Sequence, residues 1–299
     1  MRVDPFYIQG LSTALDNITS NEADLSGELA SGLRVSRLST DAVAVGQSTV
    51  LAAAISAADS YVQVATSTQS KLQVTDSTLG EVVTALTKAI SLAISGGDGT
   101  LGASDKAIIG QQIVAIRDQI LGLANASYQG QYIFSGSQGQ LQPFTLSSTT
   151  SPAKVTYAGD SALQYTTTPN GQKIQTNLAG SSLFTAPGTN VFSALNTVIA
   201  DFASNASSTQ IGADSALLTT ALNTVDSQRS IIGTSLAQIQ TSSTYAQTTS
   251  AQFTASETTL ISADPAKVAT QLSTAETQGQ ALSSVIASLA KGSLFDYIK

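Results

Sequence analysis

Apolar residues recur at alternating spacings of three and four positions near both ends of the chain. Near the N-terminus, the positions that follow this spacing are Ile8, Leu11, Leu15, Ile18, Leu25 and Leu29. Near the C-terminus, they are Val268, Leu272, Ala275, Leu282, Ile286 and Leu289. We call these sets the N-terminal seam and the C-terminal seam. A repeat of about 3.5 residues is typical of the contact stripe of a coiled coil, so each seam predicts a helix with a narrow apolar face.

Each narrow face needs a matching surface, and the simplest arrangement pairs the two seams, which brings the first and last ~40 residues side by side. Two unrelated amphipathic helices on a common core would give the same spacing, so periodicity alone leaves both arrangements open. One step of the N-terminal seam is occupied by Glu22, and one step of the C-terminal seam by Gly279. Glu22 either fixes the register with a partner helix or marks a local kink that faces solvent.

The same spacing returns between the two ends and predicts further long helices that lie side by side. The predicted helical ranges are 5–33, 42–94, 104–126, 191–203, 214–262 and 265 onward. Asp264 and Pro265 form a strong start signal, with the aspartate as N-cap and the proline at the first helical position. Side chains that can cap the second and third helices are Ser39, Thr40, Asp41, Ser104 and Asp105.

Residues 131–190 differ from the rest, because they are rich in Thr, Ser and Gly with interspersed Tyr and Val. The segments 154–157 and 164–167 alternate apolar and polar positions, as strands do. Asn170-Gly171 is a strong turn signal and predicts a type I′ hairpin that leads into a further alternating segment. We therefore expect a small β domain inserted between helices.

Together these patterns predict a mainly α fold: an elongated helical bundle or coiled coil formed by the N- and C-terminal segments, with a small inserted β domain. We expect a terminal coiled-coil domain from residues 1–40 with 260–299, a helical rod domain from 41–130 with 191–259, and an inserted β-rich domain from 131–190.

Composition favours assembly with copies of the same chain. Charged residues make up 11% of the chain and apolar residues 42%, much of the latter being alanine. The helix surfaces must therefore be built from weakly solvated Ser, Thr, Gln, Asn and Ala. The net charge of −7 argues against nucleic acid as a partner and gives no attraction to an anionic membrane. No stretch approaches the ~20 consecutive apolar residues of a membrane span.

The chain contains neither cysteine nor histidine. Their absence excludes disulfides, zinc sites with Cys or His ligands, and Cys–His or Ser–His catalysis. Two Ser-x-x-Lys sequences, ending at Lys154 and Lys291, match an acyl-transfer pattern, but the companion motifs of that chemistry are absent. An enzyme or ligand-binding protein built on the β section would need converging carboxylates, which the sequence does not cluster. We expect no enzyme activity, no metal and no cofactor.

Four stretches, in order along the chain, carry a family resemblance. They are 29–42 (LASGLRVSRLSTDA), 130–137 (GQYIFSGS) with Pro143-Phe144, 157–160 (YAGD) with 177–180 (NLAG) and Phe184, and 293–298 (SLFDYI). With these motifs the chain resembles the flagellin superfamily, and within it the family of hook–filament junction proteins. Each motif is weak alone, whereas their order and spacing together are specific.

The resemblance implies a structural protein that joins the hook of the bacterial flagellum to its filament, and the alternative is flagellin, the filament subunit. It implies self-assembly into a ring, contact with the first hook-associated protein and with flagellin, and a cytoplasmic export chaperone on the C-terminal segment. It also implies an extracellular place in the flagellum after export by the flagellar secretion apparatus, without a cleaved signal peptide. On assembly the two seams would pair. The entropy cost of ordering them would be offset by contacts with the correct neighbours.

Two arginines, Arg34 and Arg37, lie in the first of these stretches, at the bend that follows the first helix. Their simplest interpretation is that they are solvated or ion-paired within the chain. The functional alternative is a contact between subunits at the bend.

Overall fold

The computed structural model describes residues 5–35, 39, 41–147 and 152–295. Most of these residues are helical, as the seams predict. The helices are α1 (Pro5–Ser31), α2 (Ala42–Gly96), α3 (Ala103–Ala124), α4 (Gly180–Phe184), α5 (Val191–Ala203), α6 (Ser208–Ile261) and α7 (Pro265–Phe295). The mainly α fold with a small inserted β section is confirmed.

The chain divides into two compact units. The first comprises Met1–Ala57 with Thr248–Lys299, and the second comprises Ala58–Gln247. In the first unit α1 packs along α7. In the second unit, large apolar side chains of α2, α3 and α6 are removed from solvent together with those of α5. The members of this core that lie on the predicted helical spacing include Leu72, Leu79, Leu86, Ile113, Ile120, Leu218, Val225 and Ile232.

Two of the predicted helix starts are correct. Oδ1 of Asp264 accepts hydrogen bonds from the backbone N–H groups of Ala266 at 3.0 Å and Lys267 at 3.3 Å, so it caps α7 as the sequence indicates. Asp41 caps α2 in the same way, because its Oδ1 accepts from the N–H of Ala44 at 2.9 Å.

The predicted cap of α3 is wrong. The helix begins at Ala103, Gly102 occupies the N-cap position, and no side chain caps it. Asp105 instead lies within the first turn, where its negative charge interacts favourably with the helix dipole without forming a cap.

Among the described residues, the β section contains three antiparallel strand pairs. The pairs are β1 (Ser127–Tyr128) with β2 (Gln131–Tyr132), β3 (Phe144–Ser147) with β4 (Lys154–Tyr157), and β5 (Tyr165–Thr167) with β6 (Lys173–Gln175). The hairpin between β5 and β6 lies where the turn signal places it. The turn type is different from the predicted type I′, however.

A type I′ turn needs positive φ at both central residues. Among the described residues with positive φ, Gly171 is present at +81° and Asn170 is not. The N–H of Gly171 donates to the carbonyl of Thr168 at 2.9 Å, which makes Pro169 the second residue of the turn. Because proline fixes φ near −65°, it favours a type I turn followed by a left-handed glycine.

A cluster of aromatic rings joins the β section to α4 and α5. Phe144 lies at the centre, with ring centroids 4.9 Å from Tyr157, 5.3 Å from Phe184 and 5.6 Å from Phe192. Phe134 meets Phe184 edge-on at 5.5 Å. Such pairs add to the stability that comes from burial of the rings.

Hydrogen bonds around Asp160 fix the backbone beside this cluster. The carboxylate of Asp160 accepts from the N–H of Ser137 at 2.8 Å and from the hydroxyl of the same residue. The hydroxyl of Tyr157 donates to the carbonyls of Asp160 at 2.6 Å and Phe134 at 3.1 Å. The N–H of Gly180 donates to the carbonyl of Phe134 at 2.8 Å. The motif residues of the β section are therefore joined by one hydrogen-bond network, which fixes the backbone in this part of the chain.

The exposed face of α6 is rich in hydroxyl groups that bond to the helix itself. Each of these side chains donates to the carbonyl four residues earlier, at 2.8 to 3.1 Å. The residues are Thr219, Thr220, Thr224, Ser227, Thr234, Thr241, Thr244, Thr258 and Thr259. Each of these hydroxyl protons is thus donated within the helix itself.

Candidate assembly surface

The structure places the N-terminal seam of α1 against the C-terminal seam of α7. Leu25, Val268 and Ala275 form a small buried cluster, with exposures of 8%, 4% and 5%. Leu272 and Ala263 pack against it. Coiled-coil spacing in two segments far apart in sequence therefore corresponds to direct contact between them, as the simplest arrangement required.

The other seam positions are less covered. Half-buried seam residues are Leu11, Leu15, Ile18, Leu282, Ile286 and Leu289. Leu29 is 42% exposed, and the side chain of Ile8 lies outside the described residues. The α1–α7 pair thus buries few side chains fully, so much of its apolar surface is available for contact with other chains.

The two irregular steps of the seams lie opposite each other. A Cβ placed on Gly279 would lie 3.0 Å from Oε1 of Glu22 and 3.4 Å from Cγ2 of Ile18. Gly279 is buried and Glu22 is half-buried, so the glycine makes room for the glutamate across the helix interface. Of the two interpretations of Glu22, contact with the partner helix is the one that the structure supports, because only one register brings the two residues together.

The bend after α1 is held to the start of α7 by backbone hydrogen bonds. Gly32 ends α1 with φ of +69°, a conformation in which glycine avoids the strain of a side chain. Its carbonyl accepts from the N–H of Ala263 at 2.9 Å. Leu33 and Ser262 form an antiparallel bridge, and Val35 is buried at 6% exposure.

Arg34 makes its contacts within the chain. Its Nη2 donates to the carbonyl of Leu260 at 2.9 Å, and its Nη1 lies 3.6 Å from Oδ2 of Asp41. The N–H of Ala44 and the nearby positive charge of Arg34 lower the pKa of Asp41. The Arg34 side chain remains 47% exposed, which leaves part of the guanidinium accessible. Arg37 lies outside the described residues.

A second apolar surface lies on the N-terminal part of α2. Its members are exposed and again follow spacings of three and four: Val43, Gly46, Val50, Ala53 and Ala57. Val43 is 70% exposed and Val50 is 69% exposed. We call this set the α2 stripe. Sequence analysis missed it because most positions around this helix are small and apolar, so the outward stripe does not differ in composition from the inward one.

By length and composition alone, α2 is apolar enough to cross a membrane. Its most apolar 18-residue window has a mean hydropathy of 1.3, and 11% of that window is buried. One such helix is weak evidence for a membrane segment. The α2 helix therefore carries apolar surface that the described part of the chain leaves uncovered.

Acidic, Cys and His side chains form no group of three or more that could hold a metal ion within the described residues.

An open groove of about 530 Å³ on the α1–α7 pair is lined largely by polar side chains, with Glu28 and Lys267 among them. The terminal unit therefore offers surfaces for contact with another chain.

Comparison with known proteins assigns both ends of the chain to one family. Residues 9–139 match the bacterial flagellin N-terminal helical region, and residues 216–298 match the bacterial flagellin C-terminal helical region. The chain belongs to the flagellin family. The two matched regions contain the α2 stripe, all of α7 and all of α1 except its first four residues.

Curated relatives of this flagellin-family chain are hook-associated proteins. Flagellar hook-associated protein 3 of Salmonella typhimurium is 32% identical over 134 residues, which is 44% of this chain and 42% of that protein. The protein of the same name from Escherichia coli is 32% identical over 132 residues, 43% of this chain and 42% of that protein. The match thus spans less than half the length of these relatives.

A solved structure supports the same fold. A putative flagellar hook-associated protein from Vibrio parahaemolyticus superposes with a TM-score of 0.66 at 19% identity, covering 74% of this chain and 99% of that one. At this identity the similarity concerns the fold alone.

Proposed function

We propose that this flagellin-family chain is a structural component of the bacterial flagellum that joins the hook to the filament. The observation that carries this proposal is that both curated relatives are named flagellar hook-associated protein 3. In this role the chain is not an enzyme and needs no cofactor. It is exported by the flagellar secretion apparatus and acts outside the cell.

The terminal unit supplies the assembly contacts in this proposal. The core between α1 and α7 is thin, with Leu25, Val268 and Ala275 as its buried members. A two-helix pair of this kind gains little stability alone, since most helical stability in proteins comes from packing of an apolar face. Neighbouring subunits that cover the half-buried seam positions and the α2 stripe supply the remaining burial, so the α1–α7 pair becomes stable on assembly.

The partners follow from position in the flagellum. Copies of the chain contact one another in a ring, the first hook-associated protein binds on one side, and flagellin binds on the other. Before export, a cytoplasmic chaperone covers the C-terminal segment, which includes the C-terminal seam. Shielding that seam prevents premature pairing with copies of the N-terminal seam.

The test is assembly of the purified full-length chain, followed by light scattering and electron microscopy. The chain is expected to form no filaments, either alone or with filament fragments as seeds. With hooks that carry the first hook-associated protein, it is expected to bind their ends. Long filaments formed by this chain alone would overturn the junction role and assign it as flagellin. As a control, a known junction protein is added to the same hooks, and flagellin should then add to them. If this chain does not bind hook ends under those conditions, the proposal is also contradicted.

A further inference from the structure

Two aspartates lie where α5 is followed by α6, and each has at least one carboxyl oxygen that is out of reach of solvent. Asp201 lies in the last turn of α5, and Asp214 lies in the second turn of α6. The side chain of Asp214 is 0% exposed. Neither of its oxygens, nor Oδ2 of Asp201, has a hydrogen-bond partner among the described residues. A buried carboxylate without donors is costly, so this arrangement needs a physical explanation.

Residues close to the pair in sequence belong to the apolar core. Phe202 and Ile211, which neighbour the two aspartates in sequence, are 1% and 0% exposed. Gly97, at the end of α2, lies against Ile211, because a Cβ placed on it would be 3.4 Å from Cγ2 of that side chain. Both aspartates therefore flank residues that belong to the apolar core of the second unit.

The charged groups on the adjacent elements do not neutralise the pair. Lys106 on α3 is buried and donates its Nζ proton to the carbonyl of Ala206 at 3.1 Å. Asp98 and Asp105, near the turn between α2 and α3, are exposed. Lys154 on β4 lines an open groove that Asp201 also borders. None of these groups forms an ion pair with either aspartate within the described residues, whose salt bridges lie elsewhere.

A proton supplies the donor that the site lacks. When one carboxyl group is protonated, its O–H donates to the other carboxylate, and one negative charge remains instead of two. Burial of Asp214 raises its pKa from 3.8 to about 6, and the Asp201 carboxyl adds to this rise, both as a hydrogen-bond acceptor for the protonated group and through its negative charge. The groove beside Asp201 is open to solvent and provides a route by which the proton can enter and leave.

We propose that Asp201 and Asp214 form a proton-operated switch at the α5–α6 junction. With one proton shared, an O–H···O bond ties the end of α5 to the start of α6. When that proton leaves, two negative charges face each other without a hydrogen-bond donor among the described residues, and the junction loosens. The loop between the two helices is short, since α5 ends at Ala203 and α6 begins at Ser208, so loosening of the pair acts directly on the first turns of α6.

The sign of the pH dependence follows from proton uptake. Between about pH 4 and 6 the folded chain keeps a proton on Asp214 that the unfolded chain has released. Its contribution to stability is therefore full at pH values below about 4 and is lost as the pH rises through about 6. A shift of this size corresponds to a change of roughly 100-fold in the folding equilibrium.

The first experiment is a pH titration of the full-length chain labelled with ¹³C at aspartate side chains. The Asp214 carboxyl resonance is assigned by its loss in Asp214→Asn, and its expected midpoint is about 6. A midpoint near 4 would overturn the switch. A midpoint that moves when calcium chloride is added would assign the pair to a cation and would also overturn it. The titration itself is made on the unaltered protein, and Asp214→Asn serves only to assign the resonance.

The second experiment compares urea unfolding of wild type, Asp214→Asn and Asp226→Asn from pH 4.5 to 8 by circular dichroism. Asparagine keeps a donor toward Asp201 without a charge, so Asp214→Asn is expected to be stabilised relative to wild type as the pH rises, by up to roughly 100-fold in the folding equilibrium. Asp226, which is exposed on the same helix, is the matched control and should leave the profile unchanged. If Asp214→Asn keeps the wild-type profile, the proposal is wrong.

Discussion

The carboxylate of Glu22 on α1 lies over the backbone of Gly279 on α7, and a Cβ on that glycine would stand 3.0 Å from Oε1. A helix interface normally gains from side chains at every seam position. Here a long polar side chain on one helix is matched by an absent side chain on the other. The pairing identifies one register out of those that the regular spacing allows, since a shift by one heptad would leave Glu22 against another apolar residue.

Replacement of Gly279 by leucine should therefore weaken the α1–α7 pair. The added side chain has to displace Glu22 and Ile18, and overpacking of this kind costs about 2 kcal/mol. Hydrogen–deuterium exchange is expected to show faster exchange in α1 and α7 of Gly279→Leu. Addition of Glu22→Ala should restore about 1 kcal/mol or more, because it removes the side chain that occupies the space. Gly27→Leu, on α1 where a Cβ meets nothing within 4 Å, is the control and should not speed exchange.

A substitution in the α2 stripe should weaken assembly and leave the stability of the folded chain almost unchanged. Val50 is 69% exposed, so Val50→Asp should change the free energy of unfolding by less than about 0.5 kcal/mol. If a neighbouring chain covers this position, burial of an unpaired charge should weaken binding to hook ends by 10-fold or more, on the order of 1.4 kcal/mol. Ala52→Asp places the same charge on another exposed face of α2 and serves as the control. Equal binding by both variants would show that the stripe is not a contact surface.

Gly136 should be one of the least replaceable residues of the β section. Its φ is +74°, and a Cβ there would lie 2.5 Å from the backbone carbonyl oxygen of Asp160. Gly136→Ala is therefore expected to lower the free energy of unfolding by about 3 kcal/mol or more, through backbone strain and displacement of the Asp160 loop. Gly171→Ala shares the strain, with φ of +81°, but has open space around the new atom, so it should cost about 1 kcal/mol. Urea unfolding followed by circular dichroism measures both.

Asp160 makes the β section sensitive to acid. Donation from the hydroxyl and the N–H of Ser137 lowers the pKa of Asp160 below its usual value of 3.8. The folded chain thus holds fewer protons there than the unfolded chain, and this contribution to stability is present above pH 3.8 and is lost as the pH falls through the lowered value. Asp160→Asn should flatten the acid limb of the unfolding profile between pH 4 and 2. An acid limb as steep as that of wild type would contradict this assignment.

The long helices could be predicted from sequence because their period repeats over many turns and because start signals such as Asp264-Pro265 are local. The contact between α1 and α7 could be predicted too, since two narrow seams have few ways to be buried. The turn after β5 was assigned incorrectly because Pro169 imposes negative φ on the turn and thereby overrides the Asn-Gly signal. When neighbouring residues favour different turn types, the backbone geometry decides between them, and the sequence pattern does not contain that geometry.

The features that sequence analysis missed depend on which way a helix face or a side chain points rather than on composition. The α2 stripe consists of the same small apolar residues as the buried face of its helix, so the sequence does not indicate which face has a partner. Asp201 and Asp214 lie in an ordinary stretch of Ser, Ala and Asp, and only the return of the chain between α5 and α6 brings their carboxyl groups together. No spacing rule connects them, because the loop between the helices has no regular period.

The hydroxyl-rich face of α6 has a consequence for how these chains come together. Its threonine and serine side chains already donate to carbonyls of their own helix, so a neighbour that covers them breaks few hydrogen bonds to water. Only 11% of the residues are charged, which leaves little for dissolved ions to screen. Association through such faces should depend weakly on ionic strength and should strengthen on mild warming, as the burial of apolar surface does.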